Sequence, residues 1–212
     1  MKNIKKELEY IKHIEYYEGL GRHKFNVAKL MMIFVHHLGL DIMYIKKAYL
    51  VGMLHDVGKS IIDFDILTKP EKLTSEEMET MKKHVEFGYE NTAGYDSEVW
   101  RGVVEHHENF DGTGYPTMLS GDGISVLGRC ARICDMYDAL RSKRSYKSIM
   151  SHEAAIIEME KDIHHLDLEL FEQFKTMRQM RGTDEYYPVV QTNLNINANE
   201  FKSNNEETKI IC

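Results

Sequence analysis

Residues 41–59 read DIMYIKKAYLVGMLHDVGK, and the pattern of this stretch sets the expectation for the whole fold. Its apolar side chains recur three or four residues apart, which predicts an amphipathic helix with one buried stripe. Gly58 is expected to end the helix, so the pair His55–Asp56 is predicted to lie at its C-terminal end. The stripe consists of Ile42, Ile45, Ala48, Tyr49, Gly52 and Met53.

The same helical period recurs along most of the chain. Thr74 and Glu77 have the spacing of a capping box, which marks the start of one further helix. No segment alternates apolar and polar residues for long enough to indicate a sheet, so the predicted fold is all-α. Besides residues 41–57, the predicted helices cover residues 24–39, 75–88, 96–108, 124–140, 151–161 and 167–181.

Composition and charge exclude several classes of protein. The 212 residues carry a formal net charge of -7, which disfavours a broad DNA- or RNA-binding surface. No apolar run approaches the roughly 20 residues that cross a bilayer, and the charged N-terminus lacks the hydrophobic segment of a signal peptide. We therefore expect a cytoplasmic protein that does not contact membranes. The cysteines form no CxxC pair, which favours buried apolar side chains over a thiol site.

Histidine and aspartate side chains at predicted helix ends and on helix faces are candidate metal ligands. Imidazole and carboxylate groups without thiolate favour Fe, Mn or Zn over copper(I). They outnumber the ligands of one catalytic ion, which indicates at least two ions. Asp56, directly after His55, is placed to bridge them. The candidates are His23, His55, Asp56, His84, His106, His107 and Asp135.

A dinuclear site of this composition favours phosphoester hydrolysis. A hydroxide held between two ions would be the nucleophile, and the ions would stabilise the departing oxygen. Two further histidine pairs, His36–His37 and His164–His165, have no motif around them. We leave both pairs out of the predicted site.

Five motifs in order give the chain a specific resemblance from His23 to about Phe174. It resembles the HD-GYP family, a branch of the HD superfamily of metal-dependent phosphohydrolases whose members hydrolyse the bacterial second messenger cyclic di-GMP. The motifs are HDVGK at 55–59, ILTKPEKLT at 66–74, KKHVEFG at 82–88, HHENFDGTGYP at 106–116 and CDMYDALRSKRSYK at 134–147.

The resemblance implies an HD-domain helical bundle with a dinuclear metal site in its core. Two divalent ions, Fe or Mn, would be held by the seven candidate ligands, with Asp56 as the bridging residue. Asp56 and Lys59 are the implied catalytic residues, and Lys59 is also expected to contact the scissile phosphate. The other implied substrate contacts are Tyr115, Arg144 and Lys147.

The chain departs from the family pattern at several positions. Some members bind a third metal through a glutamate four residues before the first ligand histidine, where this chain has Gly19. We therefore expect two ions and not three. Asn26 and Asp63 occupy positions where family members often have arginine and proline. The usual Phe-Asp-Pro triplet is replaced by Leu-Asp-Leu at residues 166–168. For Asp138, a role beside the metals and a place on the helix surface both stay open.

These features predict a phosphodiesterase that opens cyclic di-GMP to linear pGpG, with GMP as a further product. One alternative is a phosphohydrolase of another cyclic dinucleotide or nucleotide, and another is a non-catalytic cyclic-dinucleotide-binding signalling module. A third is an oxygen-using di-iron enzyme, against which Arg144 and Lys147 argue because an oxygenase need not bind phosphate. The sequence leaves open a homodimer or a signalling partner protein.

The sequence predicts three regions along the chain. Residues 1–22 are expected to form an N-terminal helical extension, and residues 23–182 the HD-GYP phosphohydrolase domain. Residues 183–212 are rich in Asn and Glu and poor in periodic apolar residues, which predicts a polar, flexible tail.

Overall fold

The computed structural model describes the backbone of residues 2–142, 150–180 and 198–202, and the side chains of residues 19–142, 150–180 and 200–202. Within these ranges the fold is all-α, as predicted, and β pairing is limited to the isolated bridges Tyr95–Lys202 and Asp111–Ser120. The α-helices are α1 (Lys2–His37), α2 (Ile42–Leu54), α3 (Phe64–Leu67), α4 (Ser75–Thr92), α5 (Ser97–Val104), α6 (Val126–Arg141), α7 (His152–Glu160) and α8 (Leu168–Met180). Short 3₁₀ helices cover Val57–Ile61, Gly121–Gly123, Ile163–His165 and Ala198–Phe201.

One apolar core lies between α1, α2, α5, α6 and α8. Phe34 of α1 and Phe174 of α8 are fully buried and meet edge to face, with their ring centroids 5.3 Å apart. Cys130 and Cys134 of α6 lie in the same core, and burial raises the pKa of both thiols. Both cysteines therefore act as small apolar side chains, as the sequence predicted.

α1 is one continuous helix that includes both most of the predicted helix of residues 24–39 and the residues predicted as an N-terminal helical extension. Its apolar stripe begins near residue 24, but the helix runs from Lys2 to His37, so His23 lies inside the helix and not at its start. The Lys and Glu residues before the stripe are good helix formers, and a Cβ at Gly19 or Gly21 would meet no atom within 4 Å. No helix among the described residues is both long enough and apolar enough to cross a membrane.

α2 ends at Leu54, close to the predicted position, and His55 is its C-cap. Gly58 lies in the 3₁₀ helix that follows and packs directly against the backbone of α4. A Cβ at Gly58 would overlap the carbonyl oxygen of His84. This close approach brings the pair His55–Asp56 beside His84.

α4 begins at the predicted capping box. The backbone N–H of Glu77 donates to the Thr74 hydroxyl, and the Glu77 carboxylate accepts from the Thr74 backbone N–H. The helix continues past the predicted end, to Thr92, and Gly88 is buried within it.

α5 ends at Val104, before the predicted end at residue 108. Glu105 anchors this end, because its buried carboxylate accepts from Arg101 Nε at 2.7 Å and from the backbone N–H of Ser125 at 2.6 Å. His106 and His107 therefore lie in a turn. Adjacent side chains on a helix point about 100° apart, so they diverge from each other. The rings of His106 and His107 instead lie close together, with centroids 4.0 Å apart.

Residues 198–202 belong to the predicted tail, and they pack on the bundle. Phe201 is 3% exposed, and its carbonyl oxygen accepts from the backbone N–H of Asp96 at the start of α5. This segment therefore buries an aromatic side chain against the start of α5. The rest of the predicted tail lies outside the described residues.

Candidate metal centre

Three histidines present the same ring nitrogen to the interior. Nδ1 of His55, His84 and His106 lies 2.8, 2.6 and 2.6 Å from a carbonyl oxygen three residues earlier. A carbonyl only accepts, so Nδ1 carries the proton in each ring and Nε2 is left with its lone pair. In the described part of the chain, all three Nε2 atoms are buried without a hydrogen-bond partner. Leaving such atoms unpaired is costly, and bound metal would satisfy them.

Two groups of side chains are compact enough to hold one metal ion each. Within each group, one ligand atom per residue lies within 4.8 Å of the others. The structure therefore brings all seven predicted ligand residues into one region. The first group is Asp56, His84, His106 and His107, and the second is His23, His55 and Asp135.

Asp56 belongs to the first group and also faces histidines of the second, and it is 1% exposed. Its Oδ1 is 3.7 Å from Nε2 of His84 and 4.0 Å from Nε2 of His106. Its Oδ2 is 3.4 Å from Nε2 of His55 and 3.9 Å from Nε2 of His23. The two oxygens of one carboxylate thus face different sets of imidazoles, which is the arrangement that a bridging ligand requires.

His23 connects α1 to α6 through both of its ring nitrogens. Nε2 lies 3.0 Å from Oδ1 of Asp135, and Nδ1 lies 2.6 Å from Oδ2 of Asp138. Burial lowers the pKa of His23, but the hydrogen bonds to the two carboxylates outweigh burial and raise the pKa to about 9. Asp138 is 1% exposed, so a place on the helix surface is excluded for it.

Burial favours the neutral form of His84, His106 and His107. Together with the charges of neighbouring imidazoles, it lowers the pKa of His106 to about 3 and that of His107 well below its usual value. Burial also lowers the pKa of His84. For Asp56, burial raises the pKa, but Lys59 and the nearby histidines outweigh it and hold the pKa well below its usual value. Neutral imidazoles and ionised carboxylates are the forms that bind metal.

Two lysines bring positive charge to the centre. Lys59 donates from Nζ to Oδ2 of Asp56 at 2.6 Å, and its side chain is 23% exposed. Lys24 was not predicted as a site residue, although it directly follows His23. Burial lowers the pKa of Lys24, and the charges of Asp56 and Lys59 act on it in opposite directions, so Lys24 lies near both.

Tyr115, a predicted substrate contact, packs against His107. Their rings are stacked at 24°, with centroids 4.7 Å apart, and Nζ of Lys82 lies 5.6 Å from the tyrosine centroid. One ring face is therefore occupied by a histidine. Burial raises the pKa of the phenol, so the hydroxyl stays protonated and can donate a hydrogen bond.

Glu108 holds the turn that carries Tyr115, and sequence reasoning did not single it out. Its side chain is buried, and Oε1 accepts from the backbone N–H and the hydroxyl of Thr117 at 2.7 and 2.8 Å. Oε2 accepts from the backbone N–H of Leu119 at 3.2 Å. The sequence feature that could have indicated Glu108 is its position directly after His106–His107, at the start of a polar turn.

Arg132 is a third residue that sequence reasoning missed. It donates from Nη2 to Oδ1 of Asn109 at 2.9 Å. Burial dominates the pKa of His107 and of Tyr115, and the charge of Arg132 also acts on both, so the guanidinium lies near them. Its spacing of three residues from Asp135 on α6 places it on the same helix face. The predicted contacts Arg144 and Lys147 lie outside the described residues.

Comparison with known proteins identifies the family. The family model described as HD domain matches residues 12–170. The chain belongs to the HD-domain family. Among HD-domain structures, it is similar to Bd1817, a HDG"Y"P protein from Bdellovibrio bacteriovorus, with a TM-score of 0.64, 19% identity, and coverage of 76% of this chain and 52% of that one. A cyclic GMP-AMP specific phosphodiesterase of Vibrio cholerae, V-cGAP3, gives a TM-score of 0.57 at 17% identity, covering 74% and 44%. The helical-bundle fold is thereby confirmed.

Several relatives of this HD-domain chain are named as cyclic-dinucleotide phosphodiesterases. A cyclic di-GMP phosphodiesterase of Vibrio cholerae is 38% identical over 146 residues, which cover 64% of this chain and 30% of the relative. Cyclic di-GMP phosphodiesterase PA4108 of Pseudomonas aeruginosa is 36% identical over 155 residues, covering 72% and 37%. The 3'3'-cGAMP-specific phosphodiesterase 2 of Vibrio cholerae is 45% identical over 104 residues, covering 47% and 20%. The chain thus matches well under half the length of each relative.

Proposed function

We propose that the chain is a metal-dependent phosphodiesterase that hydrolyses cyclic di-GMP to linear pGpG, with GMP as a further product. The observation that carries this proposal is the position of Asp56, whose two oxygens face different sets of imidazoles. Lys59 contacts the same carboxylate and is partly exposed, so its ammonium group can reach an incoming phosphate. Both features suit a substrate whose reacting centre is an anionic diester.

The donor set fits two divalent ions, Fe or Mn, because it consists of imidazole nitrogens and carboxylate oxygens without thiolate. Such ions, when bound, would activate a water molecule for attack on phosphorus and stabilise the departing oxygen. The chain fixes the ligand orientation, since backbone carbonyls hold the Nδ1 side of His55, His84 and His106. Asp56 would be a ligand of both ions.

The proposed substrate contacts surround this centre. The Lys59 ammonium would bind a non-bridging phosphate oxygen, and the protonated Tyr115 hydroxyl would donate to the substrate. Arg144 and Lys147 are proposed as further phosphate contacts because a guanidinium and an ammonium both pair with phosphate oxygens.

A second candidate substrate is 3'3'-cGAMP. The relative that is 45% identical is named as specific for this molecule, and its match includes no more than half of the chain. The two cyclic dinucleotides share the same phosphodiester ring and differ in one base. The chemistry at Asp56 and Lys59 would therefore be the same for both, and the base contacts would decide between them.

The decisive experiment is a turnover assay on protein purified without oxygen and loaded with Fe or Mn. Cyclic di-GMP and 3'3'-cGAMP are supplied separately, and linear products are separated by chromatography. We expect wild-type protein to produce pGpG from cyclic di-GMP, and Asp56→Asn to reduce the product to background. Asp65→Asn, at an exposed carboxylate after the motif, is the matched control and should retain wild-type turnover.

Three results would contradict this assignment. Tight binding of cyclic di-GMP without any product would indicate a non-catalytic signalling module. Faster turnover of 3'3'-cGAMP than of cyclic di-GMP would support the second candidate. Oxygen uptake without phosphodiester cleavage would favour a di-iron oxygenase.

A further inference from the structure

A third group of metal-binding side chains lies away from the dinuclear centre, where the DGTGYP turn meets the 3₁₀ helix Ile163–His165. Ligand atoms of Asp111, His164 and His165 all lie within 4.8 Å of one another. No sequence motif surrounds His164–His165, but the fold brings the carboxylate of Asp111 beside them from a distant part of the chain. We propose that these three side chains bind one divalent transition-metal ion with the chemistry of Zn²⁺.

The distances within this group fit a shared ion better than a direct contact. Nε2 of His164 and Nε2 of His165 are each 3.9 Å from Oδ2 of Asp111. That separation is too long for a hydrogen bond. Two ligands at Zn²⁺ bonding distance in a tetrahedral site are about 3.4 Å apart, so each of these two histidine–aspartate distances would shorten by about half an ångström on binding. Water would take the fourth position.

The carboxylate of Asp111 is already oriented toward the histidines. Its other oxygen, Oδ1, accepts from the backbone N–H of Thr113 at 3.0 Å and from the Thr113 hydroxyl at 2.6 Å. Oδ2 is therefore the oxygen left to face His164 and His165. Hydrogen bonds that fix a ligand in this way are typical of protein metal sites.

The two backbone segments that carry the ligands are joined to each other. The backbone N–H of Phe110 donates to the carbonyl oxygen of His165 at 2.9 Å, directly beside Asp111. The rings of His164 and His165 lie with centroids 4.2 Å apart and are tilted by 56°. Little conformational entropy would be lost on binding, because the ligand-bearing segments are fixed before an ion arrives.

Solvent can reach this group, which gives an ion a path of entry. The side chains of His164, His165 and Asp111 are 59%, 26% and 27% exposed. A bound ion would connect the turn that carries Tyr115 to the segment before α8. The ion would also lie at one end of a series of side-chain hydrogen bonds. This series runs from Asp111 through Thr113 and Asn109 to Arg132 of α6.

The test is a count of bound Zn²⁺ per chain after equilibration with buffered Zn²⁺, measured by elemental mass spectrometry. We expect His164→Ala and Asp111→Asn to bind one ion fewer than wild type. His36→Ala is the matched control, because His36 is an exposed member of the other histidine pair and belongs to none of the metal-binding groups of the described residues. It should bind as many ions as wild type.

A second measurement separates this site from the dinuclear centre and does not depend on hydrolysis. Asp56→Asn is expected to disrupt the dinuclear centre. In protein that carries this substitution, His164→Ala should still reduce the number of bound ions by one. The Co²⁺ absorption spectrum should lose a component on His164→Ala in both backgrounds. Equal ion counts and spectra for His164→Ala and His36→Ala would overturn the proposal, whether or not the protein hydrolyses cyclic di-GMP.

Discussion

Asp138 on α6 holds the imidazole of His23 on α1 through a 2.6 Å contact between Oδ2 and Nδ1. The same oxygen accepts from the Ser142 hydroxyl at 2.8 Å, so the carboxylate is itself fixed. This pair leaves Nε2 of His23 directed toward Asp135 and Asp56. Asp138 is therefore a positioning residue, which turns a proposed ligand toward the metal centre from a neighbouring helix.

Asp138→Asn should weaken metal binding without removing any proposed ligand. The neutral amide holds the His23 ring less firmly and lowers its basicity, and losses of about 10- to 100-fold in metal affinity are typical for such partners. Titration of the metal-free protein with Mn²⁺ measures this affinity. Asp162→Asn changes an exposed aspartate and should leave the affinity at the wild-type value. Unchanged affinity in Asp138→Asn would show that Asp138 does not position His23.

Gly58→Ala should destabilise the protein and disturb the metal centre together. The added Cβ would overlap the carbonyl oxygen of His84, and overpacking of this kind costs about 1–3 kcal/mol. For a chain of this length that corresponds to a fall in Tm of about 2–12 °C. Gly19→Ala is the matched substitution inside α1, where a Cβ meets no atom within 4 Å, and it should raise Tm slightly. Thermal unfolding of the two variants gives the comparison, and equal Tm values would contradict the close packing at Gly58.

The grouping of the seven proposed ligands was predictable from sequence because each motif places its residues by local rules. α2 ends directly after its apolar stripe, and this end positions His55 and Asp56. The capping box fixes the start of α4, the helix that carries His84. Asp138 was harder to interpret, since its burial depends on the packing of α1 against α6. The group of Asp111 with His164 and His165 escaped prediction for a similar reason, because only tertiary structure brings them together.

One helix boundary that was wrong has a local cause, and the other depends on a contact distant in sequence. α1 continues through Gly19 and Gly21 because helix-forming Lys and Glu residues surround them, although no apolar stripe marks that part. α5 stops early because the backbone N–H of Ser125, distant in sequence, binds the Glu105 carboxylate. The early stop lets His106 and His107 face one site, which a continuous helix would prevent.

Removal of metal should destabilise the fold. Three buried Nε2 atoms would then have no partner among the described residues, which is costly. An ion present at about 1,000 times its Kd contributes about 4 kcal/mol. We therefore expect a chelator to lower the Tm of wild-type protein, and re-addition of Mn²⁺ to restore it. In Asp56→Asn the chelator should change Tm much less, and an equal change would contradict binding at this centre.

Tyr115 is expected to have two separable roles, which two substitutions distinguish. Tyr115→Ala removes the ring that stacks on His107, and such contacts contribute about 0.5–1.5 kcal/mol, so metal affinity should fall about 2- to 10-fold. Tyr115→Phe keeps the ring and should keep the metal affinity, but it removes the hydroxyl that is proposed to contact substrate. We therefore expect Tyr115→Phe to raise KM for cyclic di-GMP at saturating metal.

Tyr89→Ala is the control for loss of an aromatic ring, since Tyr89 packs edge to face on Trp100, with centroids 5.6 Å apart. It should change neither the metal affinity nor KM. Metal titration and steady-state kinetics on the four proteins give both quantities. If Tyr115→Phe lowers metal affinity as much as Tyr115→Ala does, the hydroxyl and not the stacked ring supports His107. If Tyr115→Phe leaves KM unchanged, Tyr115 acts only by holding the histidine.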